Sequence, residues 1–257
     1  MKKDKSTKSF NKLLDIVQKL RGPDGCPWDK EQTHESLLPY FLEEAYEVIE
    51  GVEAGDMNLL KEELGDVLLH VVFQADIAQK NNEFTIEDSL NYVNEKLVNR
   101  HPHVFGDKKA DAAFHAKQHW ESAKHKEKKR KSRLDGVPET LPALTRAQRL
   151  QEKASYTGFD WEKIGQVWDK IHEEIQELKE AHSNGNKSHI EEEIGDVIFS
   201  IVNLARFLNI SAESALRKTN RKFITRFKAV ETEFKKRGKK MEDSNLEEMD
   251  EIWNTVK

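Results

Sequence analysis

The chain has 257 residues, of which 35% are charged, and a net charge of −5 at pH 7. This balance lacks the basic excess of a nucleic-acid-binding surface, so we expect no nucleic-acid partner. A single cysteine, Cys26, excludes an internal disulfide framework and is typical of proteins in a reducing cytosol. Only six prolines and twelve glycines interrupt long runs of helix-forming residues, which predicts an all-α fold.

No membrane-directing segment is evident. The first ten residues, MKKDKSTKSF, contain lysines without the apolar stretch that a secretory signal requires. No segment approaches the roughly 18 uncharged apolar residues of a membrane-spanning helix. We therefore expect a cytoplasmic protein that does not contact a membrane.

Three helices are predicted in the first half of the chain. Apolar residues recur every three or four positions across residues 36–52, which is the pattern of an amphipathic helix. A second helix is expected to begin near Asn58 and to continue into a strongly apolar stretch. Thr85, followed three residues later by Asp88, is typical of a helix N-cap, and this third helix is expected to reach Arg100.

A basic segment divides the chain. Residues 124–133 are mostly lysine and arginine, and glycine and prolines follow. Such a run could contact RNA or DNA, but without interleaved aromatic residues a solvated linker is the preferred interpretation. We expect two domains, residues 1–123 and 145–257, joined by a linker at residues 124–144. In the second domain, helices are expected at about residues 164–182, 188–208, 211–237 and 246–256.

The strongest signal is an acidic pattern that occurs twice. In the first copy it comprises Glu43, Glu44, Glu47, Glu63 and Asp66. In the second copy it comprises Glu173, Glu174, Glu177, Glu193 and Asp196, each 130 positions later. The repeat indicates duplicated domains. A solvated acidic surface has no reason to keep five carboxylates in register, whereas a metal site does.

Helix geometry brings these carboxylates together in pairs. Residues three or four apart share a helix face, so Glu44 projects with Glu47, and Glu63 projects with Asp66. If the two helices pack against each other, the acids converge, and their mutual repulsion favours a bound cation. An all-oxygen ligand set selects Mg²⁺ first and Mn²⁺ second. Gly65 lies between the second pair and costs about 1 kcal/mol in a helix, which suggests close approach of another backbone or of a ligand.

Cationic and aromatic residues recur near the ends of both copies. Lys222 and Arg226 lie one helical turn apart, as do Trp253 and Lys257. Beside a metal, such cations would bind the remaining charge of a polyphosphate, and the tryptophan could stack on a base. Each pair alone is more often an ordinary surface or core feature. Matching residues in the first copy, at offsets of 126 and 133, favour the ligand-binding interpretation.

With these motifs the chain resembles the MazG family of nucleoside triphosphate pyrophosphohydrolases, within the all-α NTP pyrophosphatase superfamily. The family motif is EExxE followed by ExxD, which both acidic copies match. The resemblance covers essentially the whole chain. It includes the segments Gly25–Asp29, Gln32–His34, Arg100–Phe105, Leu141–Leu144, Arg146–Gln148 and Gly158–Trp161.

The resemblance implies hydrolysis of a nucleoside triphosphate between its α and β phosphates, giving the monophosphate and pyrophosphate, with Mg²⁺ as cofactor. The implied metal ligands are Glu44, Glu47, Glu63 and Asp66 in the first copy and Glu174, Glu177, Glu193 and Asp196 in the second. Turnover is implied for the second domain, with Glu173, Glu174, Glu177, Glu193 and Asp196 as catalytic residues. The implied substrate-binding residues are Lys170, Glu173, His189, Glu192, Lys222, Arg226, Trp253 and Lys257.

Two further expectations follow from the resemblance. Family members form homodimers through bundled helices, so a homodimer is expected, and His189 stands where the resemblance implies a cation.

Both copies could bind metal, but the first carries Tyr46 and His70 where the second has Gln176 and Ser200. We expect these bulkier groups to narrow the first pocket.

Other interpretations are weaker. A di-iron carboxylate bundle needs two Glu-x-x-His motifs, and only Glu31–His34 fits. A non-enzymatic interaction module of paired helices would explain the bundle but not the matched acids beside cations. His101 and His103 flank Pro102 at a helix end and are interpreted as structural rather than as metal ligands. Cys26 is interpreted as packed rather than reactive, because no neighbouring group activates it.

Overall fold

The computed structural model describes residues 2–106, 113–128 and 131–255. Within those residues the chain is helical and contains no strand, which confirms the all-α prediction. The chain divides into two compact units, Met1–Lys109 and Ala110–Lys257. Each unit contains one copy of the acidic pattern.

The first unit is built around a helical hairpin. Its helices in the described residues are α1 (Lys2–Leu20), α2 (Pro27–Glu31), α3 (Leu38–Ala54), α4 (Met57–Lys80), α5 (Ile86–Arg100) and α6 (Pro102–Phe105). Only Gly55 and Asp56 separate α3 from α4, so these two helices fold back and pack on each other. The buried core cluster consists of Val17, Leu37, Val72, Phe73 and Ile77.

The second unit repeats the hairpin. Its described helices are α7 (Ala113–Glu127), α8 (Ala143–Ser155), α9 (Ile164–Asn184), α10 (Lys187–Phe207), α11 (Ala212–Lys236) and α12 (Leu246–Thr255), with a 3₁₀ turn at Met241–Asp243. Helices α9 and α10 are separated by Gly185 and Asn186 alone. Helix α8 packs on α10, and α12 packs on α11 around buried Val230, Phe234 and Ile252.

The same local signals start and stop the paired helices. The side chain of Asp56 accepts hydrogen bonds from the backbone of the first turn of α4, and Asn186 does the same for α10. Gly55 and Gly185 end the preceding helices with φ of 69° and 71°, a left-handed conformation that glycine adopts without strain. The turn chemistry is therefore duplicated together with the acids.

Close packing within the first hairpin depends on a glycine that the sequence analysis did not single out. A Cβ on Gly51 of α3 would lie 2.9 Å from the backbone nitrogen of Leu60 on α4. The second copy has Ala181 at the corresponding position, and its side chain is fully buried. A small residue at this position lets the two helices approach where they cross.

All seven predicted helices are present in the described residues, with ends within about three residues of the predicted ones. The capping box of Thr85 and Asp88 is also confirmed. Helix α7 extends into the segment expected to be a linker and carries Glu121, which forms ion pairs with Arg149 at 3.6 Å and Lys153 at 3.2 Å on α8. The extent of the linker, residues 124–144, stays a proposal.

In the described part of the chain, no helix by itself is long and apolar enough to cross a membrane. Helices α10 and α11 meet the requirement of length and composition only as a pair, and the pair is bent by 105°.

Candidate metal centres and adjoining cavity

The first acidic cluster lies on the α3–α4 hairpin. Glu44 comes from α3, Glu63 and Asp66 come from α4, and one carboxylate oxygen of each lies within 4.8 Å of the others. Glu63 is buried, and Glu44 and Asp66 are half-buried. The prediction that the two helices bring carboxylates together is therefore met in the first copy by these three residues.

Crowding of these acids changes their titration. Burial, hydrogen bonding to Glu63 and Glu47, and the charge of Asp66 raise the pKa of Glu44 to about 7. The pKa of Glu63 is also raised, with burial as the main cause. Without a cation, this cluster holds protons that isolated carboxyl groups would release at neutral pH.

The second acidic cluster lies on the α9–α10 hairpin. Glu174 and Glu177 come from α9 and Glu193 from α10, and one oxygen of each lies within 4.8 Å of the others. Glu174 and Glu193 are buried, at 6% and 7% exposure. Desolvation and the charges of Glu174 and Glu193 raise the pKa of Glu177.

Both clusters fit a hard divalent cation. The donor atoms are carboxylate oxygens, the preferred ligands of Mg²⁺ and Mn²⁺. Glu193 Oε2 is buried and has no hydrogen-bond partner among the described residues, as expected for an oxygen whose partner is a metal ion. Each cluster contains three of the four predicted ligands. The fourth, Glu47 or Asp196, lies on the same hairpin but outside the tight group.

Two cationic or titratable side chains already contact the second cluster. Lys170 Nζ lies 2.6 Å from Glu173 Oε1 and 2.7 Å from Glu174 Oε1. Both hydrogen bonds raise the pKa of Lys170, the one to Glu173 most strongly, so the side chain stays charged. His189 Nε2 lies 3.0 Å from Glu193 Oε1. Lys170 and His189, predicted from the sequence, therefore contact acids of the second cluster, and predicted Glu173 lies beside it through Lys170.

A cavity of about 530 Å³ opens beside the second cluster. Lys170, Glu174 and Asp196 line it on the acidic side. The rest of its wall is mostly apolar by surface area and includes Leu134, Leu150, Ala154, Phe159, Trp161, Val167 and Phe199. Gly158 and the polar residues Gln151, Asp160, Ser200, Asn203 and Arg206 complete it. Its volume is within the range of small-molecule sites, and an apolar wall with a few converging charged groups is typical of them.

Comparison with known proteins agrees with this arrangement. The family model of the MazG nucleotide pyrophosphohydrolase domain matches residues 32–105 and 165–231, one match on each hairpin. The chain belongs to the MazG family. It is 50% identical over 250 residues to the nucleoside triphosphate pyrophosphohydrolase/pyrophosphatase MazG of Thermotoga maritima, covering 96% of this chain and 95% of that protein. It is 44% identical over 254 residues to the nucleoside triphosphate pyrophosphohydrolase of Escherichia coli K12, covering 96% and 97%.

Three further residues predicted to bind substrate in this MazG chain, Lys222, Arg226 and Trp253, lie apart from the second cluster, on α11 and α12. The Arg226 guanidinium lies 5.8 Å from the centre of the Trp253 ring, which also packs on Phe223 at 5.3 Å. Lys222 is exposed one turn before Arg226 on α11. None of the three lines the cavity beside the second acidic cluster. Glu192 is exposed on α10, and Lys257 lies outside the described residues.

The histidines and the cysteine outside the two acidic clusters have structural surroundings. His34 hydrogen-bonds through Nδ1 to the side chain of Gln74. His101 donates from Nδ1 to the carbonyl oxygen of Leu97 at 2.7 Å. Cys26 is half-buried. None of these residues belongs to a metal-binding group in the described residues.

Sequence reasoning missed part of the site. A Cβ on Gly65 or on its counterpart Gly195 would have no described atom within 4 Å, so no backbone among the described residues approaches there. The alternative expectation, close approach of a ligand, stays a prediction. The cavity residues Gln151 and Asn203 were not identified, because they come from separate helices and carry no motif. Phe159 and Trp161, two aromatic residues close together before α9, were the sequence feature that could have indicated a cavity there.

Proposed function

We propose that this protein is a Mg²⁺-dependent nucleoside triphosphate pyrophosphohydrolase that converts NTPs and dNTPs to monophosphates and pyrophosphate. The observation that carries the proposal is the second acidic cluster, which opens beside Lys170 into a cavity of about 530 Å³. The names of the two relatives support this reaction. A cytoplasmic location agrees with the single cysteine.

The four carboxylates of the second copy are proposed to hold the metal. Glu174, Glu177 and Glu193 form the tight group, and Asp196 lies on the same hairpin at the cavity wall. These residues would hold Mg²⁺, or Mn²⁺ in its place, and the metal would supply polarisation of the phosphoryl oxygens and a lower pKa of the attacking water. Glu173 is exposed beside the cluster, and it or a ligand carboxylate accepts the proton of that water.

Side chains around the cluster are proposed to bind the triphosphate. Lys170 is held charged by Glu173 and Glu174, so it can neutralise phosphate oxygens that reach the cluster. Lys222, Arg226 and Trp253 are proposed to contact the nucleotide from their group on α11 and α12, outside the cavity, with the two cations binding further phosphate charge. Further proposed contacts, resting on the family resemblance, are His189, Glu192 and Lys257.

We also propose that the protein is a homodimer. Helix α10 exposes large apolar side chains, among them Ile198 at 46% and Ile201 at 49%. Helix α11 adds Phe223 at 55% and Ile224 at 51%. Apolar surface on two adjacent helices is typical of a protein–protein interface, and burying it against a second copy would complete a larger helical bundle.

Product analysis tests the proposed reaction. The purified protein is incubated with each NTP and dNTP, with Mg²⁺ or with excess chelator, and products are separated by ion-exchange chromatography. The expected products are the monophosphate and pyrophosphate, formed only with the metal. Release of a diphosphate and orthophosphate, or full activity in chelator, would overturn the proposal.

A further inference from the structure

We propose that the cavity beside the second cluster binds the nucleobase of the substrate, and that Gln151 selects bases with an exocyclic amino group. This inference rests on the proposed function, because the acidic end of the same cavity is then the triphosphate site. The triphosphate and its metal would occupy only the acidic end, so the mostly apolar remainder of the wall has no assigned ligand.

The aromatic residues at the cavity indicate a flat ring as its occupant. Phe159 is 82% exposed and Trp161 is 40% exposed, although both line the cavity. Exposing aromatic side chains to water is unfavourable, and stacking on a base removes that surface from water. The loop that carries them is anchored, since Arg206 donates to Asp160 Oδ2 at 2.9 Å.

Gln151 supplies an unused hydrogen-bond acceptor at this wall. It is 9% exposed and lines the cavity. Its Nε2 donates to the backbone oxygen of Phe199 at 2.8 Å, whereas Oε1 is buried without a hydrogen-bond partner among the described residues. Reversing the amide would set two acceptor oxygens against each other, so Phe199 fixes Oε1 as the free atom.

A buried acceptor without a donor is unfavourable until a ligand supplies one. In a base, the exocyclic amino group is the N–H donor that projects furthest from the ring edge. Adenine, guanine and cytosine carry such a group, and their deaminated or unsubstituted analogues do not. Gln151 is therefore assigned as a specificity-determining residue rather than as part of the reacting centre.

In the first copy, larger side chains occupy the positions that correspond to Gln151 and Asn203: Arg21 and Phe73, each 130 positions earlier. Phe73, the counterpart of cavity residue Asn203 at an offset of 130, is 5% exposed and belongs to the core of the first unit. The Arg21 guanidinium lies 5.8 Å from its ring centre and pairs with Asp76 at 2.7 Å. Both copies keep a carboxylate cluster, and the cavity of about 530 Å³ lies at these positions in the second copy.

Matched nucleotide pairs test the assignment. kcat/KM is measured for ATP against purine riboside triphosphate, GTP against ITP, and CTP against 2-pyrimidinone riboside triphosphate. For at least one pair, the wild type is expected to prefer the amino-bearing base by roughly threefold to tenfold, the effect of one hydrogen bond. The Gln151→Met variant, similar in size, is expected to reduce that preference to about one.

Gln148→Met is the matched control. Gln148 lies one turn earlier on α8, but both of its amide atoms are used, by Ile210 O at 3.1 Å and Ala212 N at 3.0 Å. It does not line the cavity, so its substitution should leave the base preference at the wild-type value. A preference that is equal in the wild type and in Gln151→Met, for all three pairs, overturns the assignment.

A metal-free measurement separates this inference from the proposed reaction. Calorimetry is used to compare the binding of AMP with that of purine riboside monophosphate, and the two other monophosphate pairs likewise. Asn203→Phe, which installs the first-copy residue, is expected to weaken monophosphate binding at least tenfold; unchanged binding overturns the base site. If no NTP yields pyrophosphate, the proposed reaction fails, while these binding ratios still decide the role of the cavity.

Discussion

The carboxylates of the two copies have different immediate neighbours. Glu44 of the first cluster has His70 at 3.9 Å, and burial lowers the pKa of that histidine. Glu174 of the second cluster has Lys170 at 2.7 Å. The second cluster is thus paired with a permanent cation, whereas the first has an imidazole that burial keeps neutral.

This difference leads to unequal effects of ligand substitution. Glu177→Gln and Asp196→Asn are each expected to lower kcat/KM roughly a hundredfold or more, because they remove ligand charge where the phosphoryl group is proposed to react. Glu47→Gln and Asp66→Asn, the matched changes in the first copy, should leave most activity in place. Steady-state kinetics of all four variants decide the matter. Equal losses in both copies would contradict turnover in the second copy.

The raised pKa of Glu44 predicts a dependence of stability on pH. Its pKa in the folded chain is about 7 against an ordinary value of 4.5, so the folded state binds a proton that the unfolded state releases. The stabilisation from this proton is complete below about pH 4.5 and is lost as the pH rises to about 7. A cation should restore it at high pH.

Thermal unfolding of wild type and Glu44→Gln checks this prediction. Without metal, the Tm of the wild type is expected to fall relative to that of the variant between pH 5 and pH 7.5. Added Mg²⁺ should raise the wild-type Tm more at the higher pH. The control is Glu62→Gln, an exposed position on α4. A Tm difference between wild type and Glu44→Gln that does not change with pH would disprove the role of Glu44.

At the scale of the elements, the helical hairpins use glycine in two ways. Gly51 allows α3 and α4 to touch, whereas a Cβ on Gly195 would meet no atom of the described residues within 4 Å. Gly195→Ala is expected to increase the free energy of unfolding by about 1 kcal/mol through helix propensity. Gly51→Ala is expected to decrease it by about 1–3 kcal/mol, because Leu60 must move.

Urea denaturation of the two variants measures these effects. Activity of Gly195→Ala adds a second observation, because Gly195 lies between proposed ligands of α10. If the alanine stabilises the chain but lowers kcat/KM, a nucleotide approaches the helix there. Destabilisation by Gly195→Ala would instead indicate contact with a second copy of the chain.

Self-association is expected to depend on the exposed apolar face of α10. Ile198→Glu should shift the protein towards a monomer, because an obligate interface of roughly 2,000 Å² does not tolerate a buried charge. Leu246→Glu is the control, since Leu246 is 80% exposed at the start of α12. Sedimentation velocity at nanomolar concentration measures both. A wild type that is monomeric and fully active would contradict the homodimer.

At the scale of the whole molecule, duplication predicts two classes of metal site. Each compact unit has its own cluster, and the two buried glutamates Glu63 and Glu193 occupy corresponding positions. Equilibrium binding of Mn²⁺, followed by its electron spin resonance signal, should detect both clusters. Glu63→Gln and Glu193→Gln should each remove one class of sites, and the double variant both. Unaltered Mn²⁺ binding by the double variant would rule out these clusters as the metal sites.

Local sequence patterns determined the helices and the existence of the clusters. Asp56, Asn186 and Thr85 are recognisable caps because a short polar side chain satisfies free backbone groups within its own turn. The i, i+3 spacing fixes which acids share a helix face, and the two-residue turn forces the two faces together. These effects act within a hairpin, so the sequence by itself was sufficient.

Only the tertiary structure decided which acids form the tight groups and what lies beside them. Glu177 joins the second cluster and Asp196 borders the cavity, although spacing makes them equivalent candidates. The cavity joins Gln151 of α8 to residues of α10 at least 45 positions away. Periodicity specifies the buried face of a helix but not the distant segment that covers it. That segment is chosen by packing, which filled these positions in the first copy with Arg21 and Phe73 and left a cavity in the second.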